Sequence, residues 1–163
     1  MTEMERIGNL SKLQPNSLHC FVCGVENPFG LKLKFFETTP GEVTAEITLG
    51  EQYQGYPGIV HGGIVAAMLD EVTGRACMGN SKQPRFMFTA RLEIRYRRHI
   101  PVGKPLRLVG RASKIRETSA KASGAIYDSE GNLLAESDAL LVDVPAETVA
   151  GVDLEALGWK LYE

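Results

Sequence analysis

A histidine, two glycines and an aspartate stand at a spacing that could support chemistry on a carbonyl group. His61 precedes Gly62 and Gly63, and Asp70 follows the histidine by nine residues. If this segment is helical, the two glycines lie in its first turn, where backbone N–H groups lack helical partners and the helix dipole is positive. A carbonyl oxygen that gains negative charge could be stabilised there.

The acid and the glycines are too far apart to act together within one helix. Asp70 lies roughly 13 Å of helical rise beyond His61. An acid and an amide on the same helix therefore cannot both touch one reacting atom, and the second half of the site must come from another chain. This spacing predicts a symmetric dimer with two sites at its interface.

The residues around this motif predict one long buried helix within residues 60–80. Apolar residues recur at helical spacing and nearly encircle the helix axis. Asp70 shares its stripe with small residues, namely Gly63, Ala66, Ala67, Gly74 and Cys77. A partner backbone or a ligand is therefore expected to approach the helix along this stripe. Gly79 followed by Asn80 indicates where the helix stops.

Alternating apolar and polar residues predict six strands around this helix. The predicted strands are residues 31–35, 43–49, 86–97, 106–116, 119–127 and 133–144. The turns between them are short, so the strands are expected to form an antiparallel meander. In the strand at 86–97, Phe88, Leu92 and Tyr96 are expected on the buried face and Thr89 on the polar face. The prediction is an α+β fold in which a sheet curls around one apolar helix.

Composition and length exclude several classes of protein. A chain of 163 residues fits one domain with a substantial core, and a net charge of -2 gives no electrostatic case for nucleic-acid binding. The first residues lack the basic and apolar regions of a secretory signal, and no apolar run is long enough to span a membrane. A soluble, cytoplasmic protein is therefore expected.

A Cys-x-x-Cys pair near the N-terminus has two interpretations. Cys20 and Cys23 follow His19, which could be half of a zinc site or a redox pair. Two cysteines and one histidine fall short of four tetrahedral ligands, and the sequence contains no second Cys-x-x-Cys, so zinc would need ligands from elsewhere. The favoured interpretation is a tight turn with buried thiols. The odd total of three cysteines gives no disulfide framework.

The segment VHGGIVAAMLDE, followed by FMFTARLEIRYRRHIPVGKPL, resembles the PaaI-like hotdog-fold thioesterases of the 4HBT superfamily. The resemblance covers roughly residues 30–145. It implies a hotdog domain at 31–145, an antiparallel sheet of about six strands wrapped around one long central helix. An N-terminal arm with the Cys-x-x-Cys turn at 1–30 precedes it, and a peripheral tail at 146–163 follows it. Relatives typically pair two such units into a continuous sheet, so a homodimer, doubled into a dimer of dimers, is expected.

The resemblance also implies roles for single residues. Asp70 matches the acid that acts as nucleophile or as general base for water, with Glu71 as the neighbour that could replace it. Gly62 matches the oxyanion donor, and Gly63 is its alternate. Thr89 matches a strand position that orients the water or the acid.

Two positions near the motif are less settled. His61 could act as a base, although its place before the helix favours a hydrogen-bonding role in the loop. Several relatives carry a water-holding amide six positions before the histidine, where this chain has Gly55. Gln54 is the nearby amide that could substitute. This departure from the family pattern leaves the geometry of the water open.

Residues 91–121 are locally basic in a chain that is acidic overall. Such a patch suits the phosphates of coenzyme A, although a solvated sheet face would look the same. Two or three of the basic residues are expected to hold phosphates. The candidates are Arg95, Arg97, Arg98, Lys104 and Arg111.

The function that follows is an acyl-CoA thioesterase. A thioester is activated enough that one carboxylate and one carbonyl-polarising N–H can suffice, so the prediction includes no metal and no organic cofactor. The alternative is a non-catalytic module that binds or senses acyl-CoA, which the glycine at position 55 favours. A hotdog dehydratase would need its histidine and acid placed differently.

Overall fold

The computed structural model describes residues 12–79 and 81–162. Residues 1–11 of the predicted N-terminal arm and Asn80 of the predicted helix stop therefore lie outside the described residues. The strands are β1 (Lys12–Leu13), β2 (Phe36–Thr39), β3 (Glu42–Thr48), β4 (Met87–Tyr96), β5 (Pro105–Ile115), β6 (Ser119–Asp128) and β7 (Leu133–Asp143). The helices are α1 (Gly62–Ala76) and a single turn, α2 (Ala146–Val149), and a 3₁₀ turn spans Glu51–Tyr53.

The seven strands form one sheet in the order β1-β2-β3-β5-β6-β7-β4, and every neighbouring pair is antiparallel. The predicted antiparallel sheet is therefore confirmed, and the prediction lacks two short strands, β1 and β2. Although β4 follows the helix in the chain, it pairs only with β7 in this sheet and forms one edge.

Helix α1 packs against the concave side of the sheet and contacts β3 to β7. Met68, Leu69 and Val72 are completely buried in this interface. Gly110 of β5 permits the close approach, because a Cβ atom there would lie 2.2 Å from the Val72 carbonyl oxygen. The sheet wrapped around one central helix, predicted from the sequence, is thus confirmed.

One side of α1 is not covered by its own chain. Gly62 and Gly63 are exposed, and Ala66, Asp70 and Gly74 are half-buried. Gly63, Ala66, Asp70 and Gly74 belong to the small-residue stripe, whose last member, Cys77, is buried. The described chain therefore buries the apolar side of α1 and leaves this stripe open from Gly63 to Gly74. None of the helices in the described part of the chain has the length and apolarity needed to cross a bilayer.

The prediction of a strand at residues 31–35 is wrong, because this segment is not a strand of the sheet. Leu31, Leu33 and Phe35 are buried and the lysines between them are exposed, as the alternation predicts. However, Lys32 has a φ of 54°, which a strand cannot accommodate. Strand β2 begins only at Phe36. The segment before it binds the Cys-x-x-Cys loop, because the Leu31 and Leu33 N–H groups donate to the Phe21 and Val22 carbonyls.

The faces predicted for β4 are wrong before residue 90 and correct after it, because the strand contains a bulge. Thr89 pairs with Leu141 and Arg91 with Leu140, so Ala90 is the extra residue. A bulge of one residue exchanges the two faces of a strand beyond it. Thr89 before the bulge and Tyr96 after it therefore both point toward α1, while Phe88 is 53% exposed.

The C-terminal segment after α2 consists mainly of turns. Its Trp159 ring packs edge-on against Phe86, with ring centroids 5.5 Å apart. The same indole lies 5.1 Å from the Arg75 guanidinium of α1. These contacts and backbone hydrogen bonds between Asn16 and Lys160 fix this segment against the rest of the molecule.

Candidate active site

The N-terminus of α1 has one amide that is capped and one that is not. The Nδ1 atom of His61 accepts the Gly63 N–H at 2.9 Å, which makes the histidine the N-cap of the helix. Among the described residues, the Gly62 N–H has no hydrogen-bond partner. Of the two candidate oxyanion donors, Gly62 is therefore the available one, and His61 has the hydrogen-bonding position that the sequence favoured.

Tyr96 lies directly beside this free amide. Its hydroxyl donates to the Gly62 carbonyl oxygen at 2.9 Å, and its ring is in contact distance of the Gly62 Cα face. Tyr96 was not predicted as a site residue, because strand alternation placed it on the buried face and so indicated a core residue. It does lie on the face toward α1, but it is 55% exposed at the N-terminus of the helix.

Asp70 and Thr89 form the second half of the candidate site. The Thr89 hydroxyl donates to Oδ1 of Asp70 at 2.6 Å. The carboxylate is half-buried and lies on the open stripe of α1. Its second oxygen, Oδ2, has no hydrogen bond among the described residues. The structure thus brings together two residues that the sequence analysis named separately.

Glu71, the alternative acid, points in another direction. Its Oε1 forms an ion pair with Nε of Arg75 at 2.9 Å, and the arginine side chain is only 4% exposed. Burial raises the pKa of Glu71, and the adjacent Arg75 guanidinium opposes that rise. Glu71 therefore serves as the counter-ion of a buried arginine, which leaves Asp70 as the acid on the open side.

The Arg75 guanidinium connects three parts of the molecule. It donates to the Pro15 carbonyl at 2.6 Å and stacks over the Phe35 ring at 4.7 Å. Its contact with Trp159 adds the C-terminal segment. The helix end that follows Asp70 is thereby fixed to both terminal segments.

A cavity of about 730 Å³ opens at the N-terminus of α1. Its lining includes Gly62, Tyr96, Arg97, Arg98 and His99. His99 is a second lining residue that sequence analysis did not single out, since a lone histidine after a strand carries no motif. The cavity joins an unpaired amide to two cations, which suits an elongated ligand with an anionic end.

The predicted phosphate-binding cations separate into three groups. Arg97 and Arg98 line the cavity, and Arg97 also forms an ion pair with Glu136. Arg95 pairs with Glu93 on the outside of the sheet, and Arg111 pairs with Glu42 on β3. Lys104 is exposed in the turn before β5. The structure therefore brings two of the five candidates to the cavity.

The loop before the helix places glycine, and not an amide, beside His61. A Cβ atom on Gly55 would lie 3.3 Å from the His61 Cα atom, so a larger residue would require the histidine to shift. The Gln54 side chain accepts the Gly58 N–H at 3.1 Å and closes the loop upon itself. Gln54 is therefore engaged in loop structure, and the cavity lining contains Gly55.

The Cys-x-x-Cys loop lies behind the acid pair. The sulfur of Cys20 lies 4.0 Å from Oε2 of Glu71. The hydrogen bond between the two thiols raises the pKa of Cys20 and lowers the pKa of Cys23 to about 5. The predicted tight turn with buried thiols is present, with Cys23 buried and Cys20 half-buried.

Comparison with known proteins identifies the group to which this arrangement is similar. The sequence model of the thioesterase superfamily (4HBT) matches residues 57–135. This range contains the helix, the bulged strand and both halves of the candidate site.

A curated relative and two solved structures agree with that match. Acyl-coenzyme A thioesterase THEM4 of Bos taurus is 32% identical over 83 residues, which are 50% of this chain and 32% of the bovine protein. The chain thus spans about a third of that relative's length. A crystal structure of a thioesterase superfamily protein has 33% identity and a TM-score of 0.69, covering 77% of this chain and 61% of the other.

The PaaI protein from the phenylacetic acid degradation operon of E. coli has a TM-score of 0.64 at 15% identity. The match covers 71% of this chain and 81% of the PaaI chain. At this identity the similarity concerns the fold alone. The hotdog fold that the sequence resemblance implied is thereby confirmed.

Proposed function

We infer that this chain, which belongs to the thioesterase superfamily, hydrolyses the thioester of an acyl-coenzyme A. The observation that carries the proposal is the 2.6 Å hydrogen bond between Thr89 and Asp70, on a helix side that its own chain leaves open. The acyl-CoA thioesterase named among its relatives supports the choice of coenzyme A as the leaving group.

The chemistry assigned to Asp70 uses its second carboxylate oxygen. Thr89 occupies Oδ1, so Oδ2 is the atom that attacks the thioester carbonyl or accepts a proton from the attacking water. Attack places negative charge on the carbonyl oxygen, and breaking the C–S bond releases coenzyme A as its thiol after protonation. If Oδ2 itself attacks, the acyl group is left on Asp70 as an anhydride, and water then hydrolyses it to release the acid and restore the carboxylate. The Thr89 hydroxyl orients the carboxylate and stabilises its charged form.

The Gly62 N–H supplies the oxyanion donor in this proposal. It is the uncapped amide of the first helical turn, where the dipole of α1 favours negative charge. Tyr96 holds the Gly62 carbonyl, which fixes the peptide unit directly after the donor amide. Within one chain, Gly62 lies roughly 12 Å of helical rise from Asp70, so the donor and the acid of one site come from two chains.

Edge strand β4 offers the geometry for that dimer. It is ten residues long, and its outer side has no strand beside it in the described sheet. An unpaired edge of this length is a template for pairing with another chain. If two copies pair antiparallel about a twofold axis between Leu92 and Glu93, near the middle of β4, Thr89 of one chain lies opposite Tyr96 of the other. The acid of each chain would then approach the free amide of its partner.

The cavity beside Gly62 is assigned to the coenzyme A portion of the substrate. Arg97 and Arg98 lie on its lining, where guanidinium groups can bind phosphate through paired hydrogen bonds. We assign the anionic end of coenzyme A to these two arginines. The acyl group then extends toward Asp70 of the partner chain.

A second candidate function is acyl-CoA binding without turnover. The specific observation in its favour is Gly55, where an amide that would hold the water is absent and the packed His61 leaves little room for one. On this alternative, the cavity binds acyl-CoA and no thiol is released.

One experiment separates the two functions. Free thiol release is measured with a panel of short, long and aryl acyl-CoAs, using the wild type and Asp70→Asn, and binding of each thioester is measured in parallel by calorimetry. The thioesterase proposal predicts turnover by the wild type and its loss in Asp70→Asn with binding retained. Binding without turnover by the wild type on every thioester would favour the sensing module.

A further inference from the structure

The Cys-x-x-Cys loop is folded around a sulfur atom. The Sγ atom of Cys20 accepts the N–H groups of Val22 and Cys23, each at 3.4 Å. The Gly24 N–H donates to the Cys20 carbonyl at 2.8 Å, and a Cβ atom on Gly24 would lie only 2.3 Å from that oxygen. Glycine is therefore required after the second cysteine. Two N–H donors aimed at one sulfur favour its thiolate form.

A carboxylate from α1 completes the surroundings of this loop. Oε1 of Glu71 is held by Arg75 at 2.9 Å, while Oε2 lies 4.0 Å from the Cys20 sulfur. One ligand atom from each of Cys20, Cys23 and Glu71 lies within 4.8 Å of the other two. Carboxylates that bind metals are commonly oriented by such a second hydrogen bond, and here Arg75 provides it.

We propose that Cys20, Cys23 and Glu71 form a binding site for zinc or a similar thiophilic divalent ion. The ligand set comprises two thiolates and one carboxylate oxygen, and solvent supplies the fourth position. The distances between the three ligand atoms, all within 4.8 Å, are close to those in a zinc site. Tetrahedral zinc with ligand bonds of about 2.3 Å separates its ligands by roughly 3.8 Å. Movements of the order of 1 Å in the side chains would close the site.

The local charges also fit an ion of charge +2. Two thiolates and one carboxylate carry three negative charges, and the buried Arg75 carries one positive charge. A divalent cation makes the cluster neutral. On binding, a cysteine that is still protonated releases its proton to solvent. Cys20 and Glu71 are both half-buried, so an ion can reach the site from the surface.

The location gives the ion a structural role near the proposed active site. Glu71 is the residue after Asp70 on α1, and the Cys-x-x-Cys loop also binds the segment that leads into β2. An ion bound to all three ligands would fix the N-terminal segment to the helix. The site lies behind the acid, so we assign the ion no part in the hydrolysis.

The test uses the full chain, reduced and stripped of metal with a chelator, then titrated with Co²⁺ alone. The proposal predicts one equivalent of Co²⁺ per chain with thiolate-to-cobalt absorption in the near ultraviolet, and loss of that absorption when Zn²⁺ is added. Zn²⁺ should also raise the melting temperature of the wild type. These measurements need no variant, so a substitution that fails to fold cannot obscure the result.

Variants then locate the ligands. Cys20→Ser and Cys23→Ser should lose the absorption, Glu71→Gln should bind at least about tenfold more weakly, and the matched control Cys77→Ser should bind like the wild type. Absence of thiolate absorption in the folded, reduced wild type would overturn the proposal. So would equal Co²⁺ binding by Cys20→Ser and Cys77→Ser, or recovery of Cys20 and Cys23 as a disulfide after purification in reductant.

Discussion

At the start of α1, two neighbouring glycines differ by one hydrogen bond. The His61 side chain takes the Gly63 N–H, and the Gly62 N–H stays without a partner among the described residues. The sequence could not separate these two amides, because the choice depends on the rotamer of His61. The cap leaves Gly62 as the donor for a developing oxyanion.

Replacing Gly62 by proline tests that donor, because proline lacks only the N–H at the first helical position. His61 has φ -59° and ψ 135°, which suit a residue before proline. We expect Gly62→Pro to lower kcat about 100- to 1,000-fold, the usual cost of losing one oxyanion donor, while the melting temperature is retained. The matched control Gly62→Ala keeps the N–H and should keep most of the activity. Equal activity of the proline and alanine variants would remove Gly62 from the site.

The hydrogen bond between Thr89 and Asp70 supports a second prediction. Thr89→Val keeps the shape of the side chain and removes the donor to Oδ1. A hydrogen bond to a charged group is worth about 1.5–3 kcal/mol, so kcat should fall about 10- to 100-fold. Thr89→Ser retains the hydroxyl and serves as the control. Steady-state thiol release that is the same for valine and serine would show that the hydroxyl has no role in turnover.

Some residues of the candidate site could be predicted from the sequence and others could not, for physical reasons. Asp70 and Gly62 stand out because a carboxylate and paired glycines interrupt an apolar helix. The pairing of Thr89 with Asp70 came from family resemblance, since strand alternation placed the threonine on the polar face. The bulge that turns Thr89 toward α1 depends on the register with β7 and leaves no mark in β4 itself. Tyr96 was missed for another reason, because an aromatic residue on the buried face of a strand indicates core.

At the scale of elements, the helix and the long strands were predictable and their edges were not. Periodicity located α1 and β3 to β7 because each has one buried face. The strand predicted at residues 31–35 has the right burial pattern without the ladder, since the backbone at Lys32 is left-handed. An alternating sequence predicts which side chains are buried. It does not predict which strand, if any, forms hydrogen bonds with the segment.

The open stripe of α1 leads to a prediction about assembly. A Cβ atom on Gly74 would meet no atom within 4 Å in the chain itself, so Gly74→Leu should leave the folded chain intact. If a second copy packs against this stripe, the leucine blocks its approach. We therefore expect light scattering to show a monomer. Thiol release should fall as well, because each proposed site needs residues from two chains. Gly151→Leu, which also points into open space, should leave a dimer; a dimeric, active Gly74→Leu would place the interface elsewhere.

At the scale of the whole molecule, distant segments converge on buried or half-buried arginines. Arg75 joins the N-terminal segment, α1 and Trp159, none of which are neighbours in sequence. Periodicity could not predict this role of Arg75, because Pro15 precedes it by 60 residues and Trp159 lies still further away in the chain. The domain divisions at residues 30 and 145 stay predictions.

Arg85 provides a pH-dependent contribution to stability. It donates to both carboxylate oxygens of Asp143, at 2.6 and 3.0 Å, and to the Glu117 carbonyl. The hydrogen bond from Arg85 lowers the pKa of Asp143 below its ordinary value of 3.8. Because folding lowers the pKa of this carboxyl, the ion pair stabilises the folded state fully at pH values above the pKa of the unfolded chain. The stabilisation is lost as the pH falls through the lower pKa of the folded state.

Melting temperatures of the wild type and Arg85→Gln measure this effect. The wild type should melt higher at neutral pH, and the difference should shrink as the pH drops below about 4. Lys104→Gln, which removes an exposed cation from a turn, is the control and should show no such trend. A difference between wild type and Arg85→Gln that stays constant from neutral to acidic pH would contradict the assigned role of the ion pair.

The central claim is that each active site combines Asp70 of one chain with Gly62 of its partner. Two inactive variants, Asp70→Asn and Gly62→Pro, are therefore co-expressed with different affinity tags, and the mixed dimer is isolated and assayed for thiol release. One of its two sites contains both an intact acid and an intact amide, so the account predicts about half of the wild-type activity per dimer. A mixed dimer no more active than the two parent variants would contradict it.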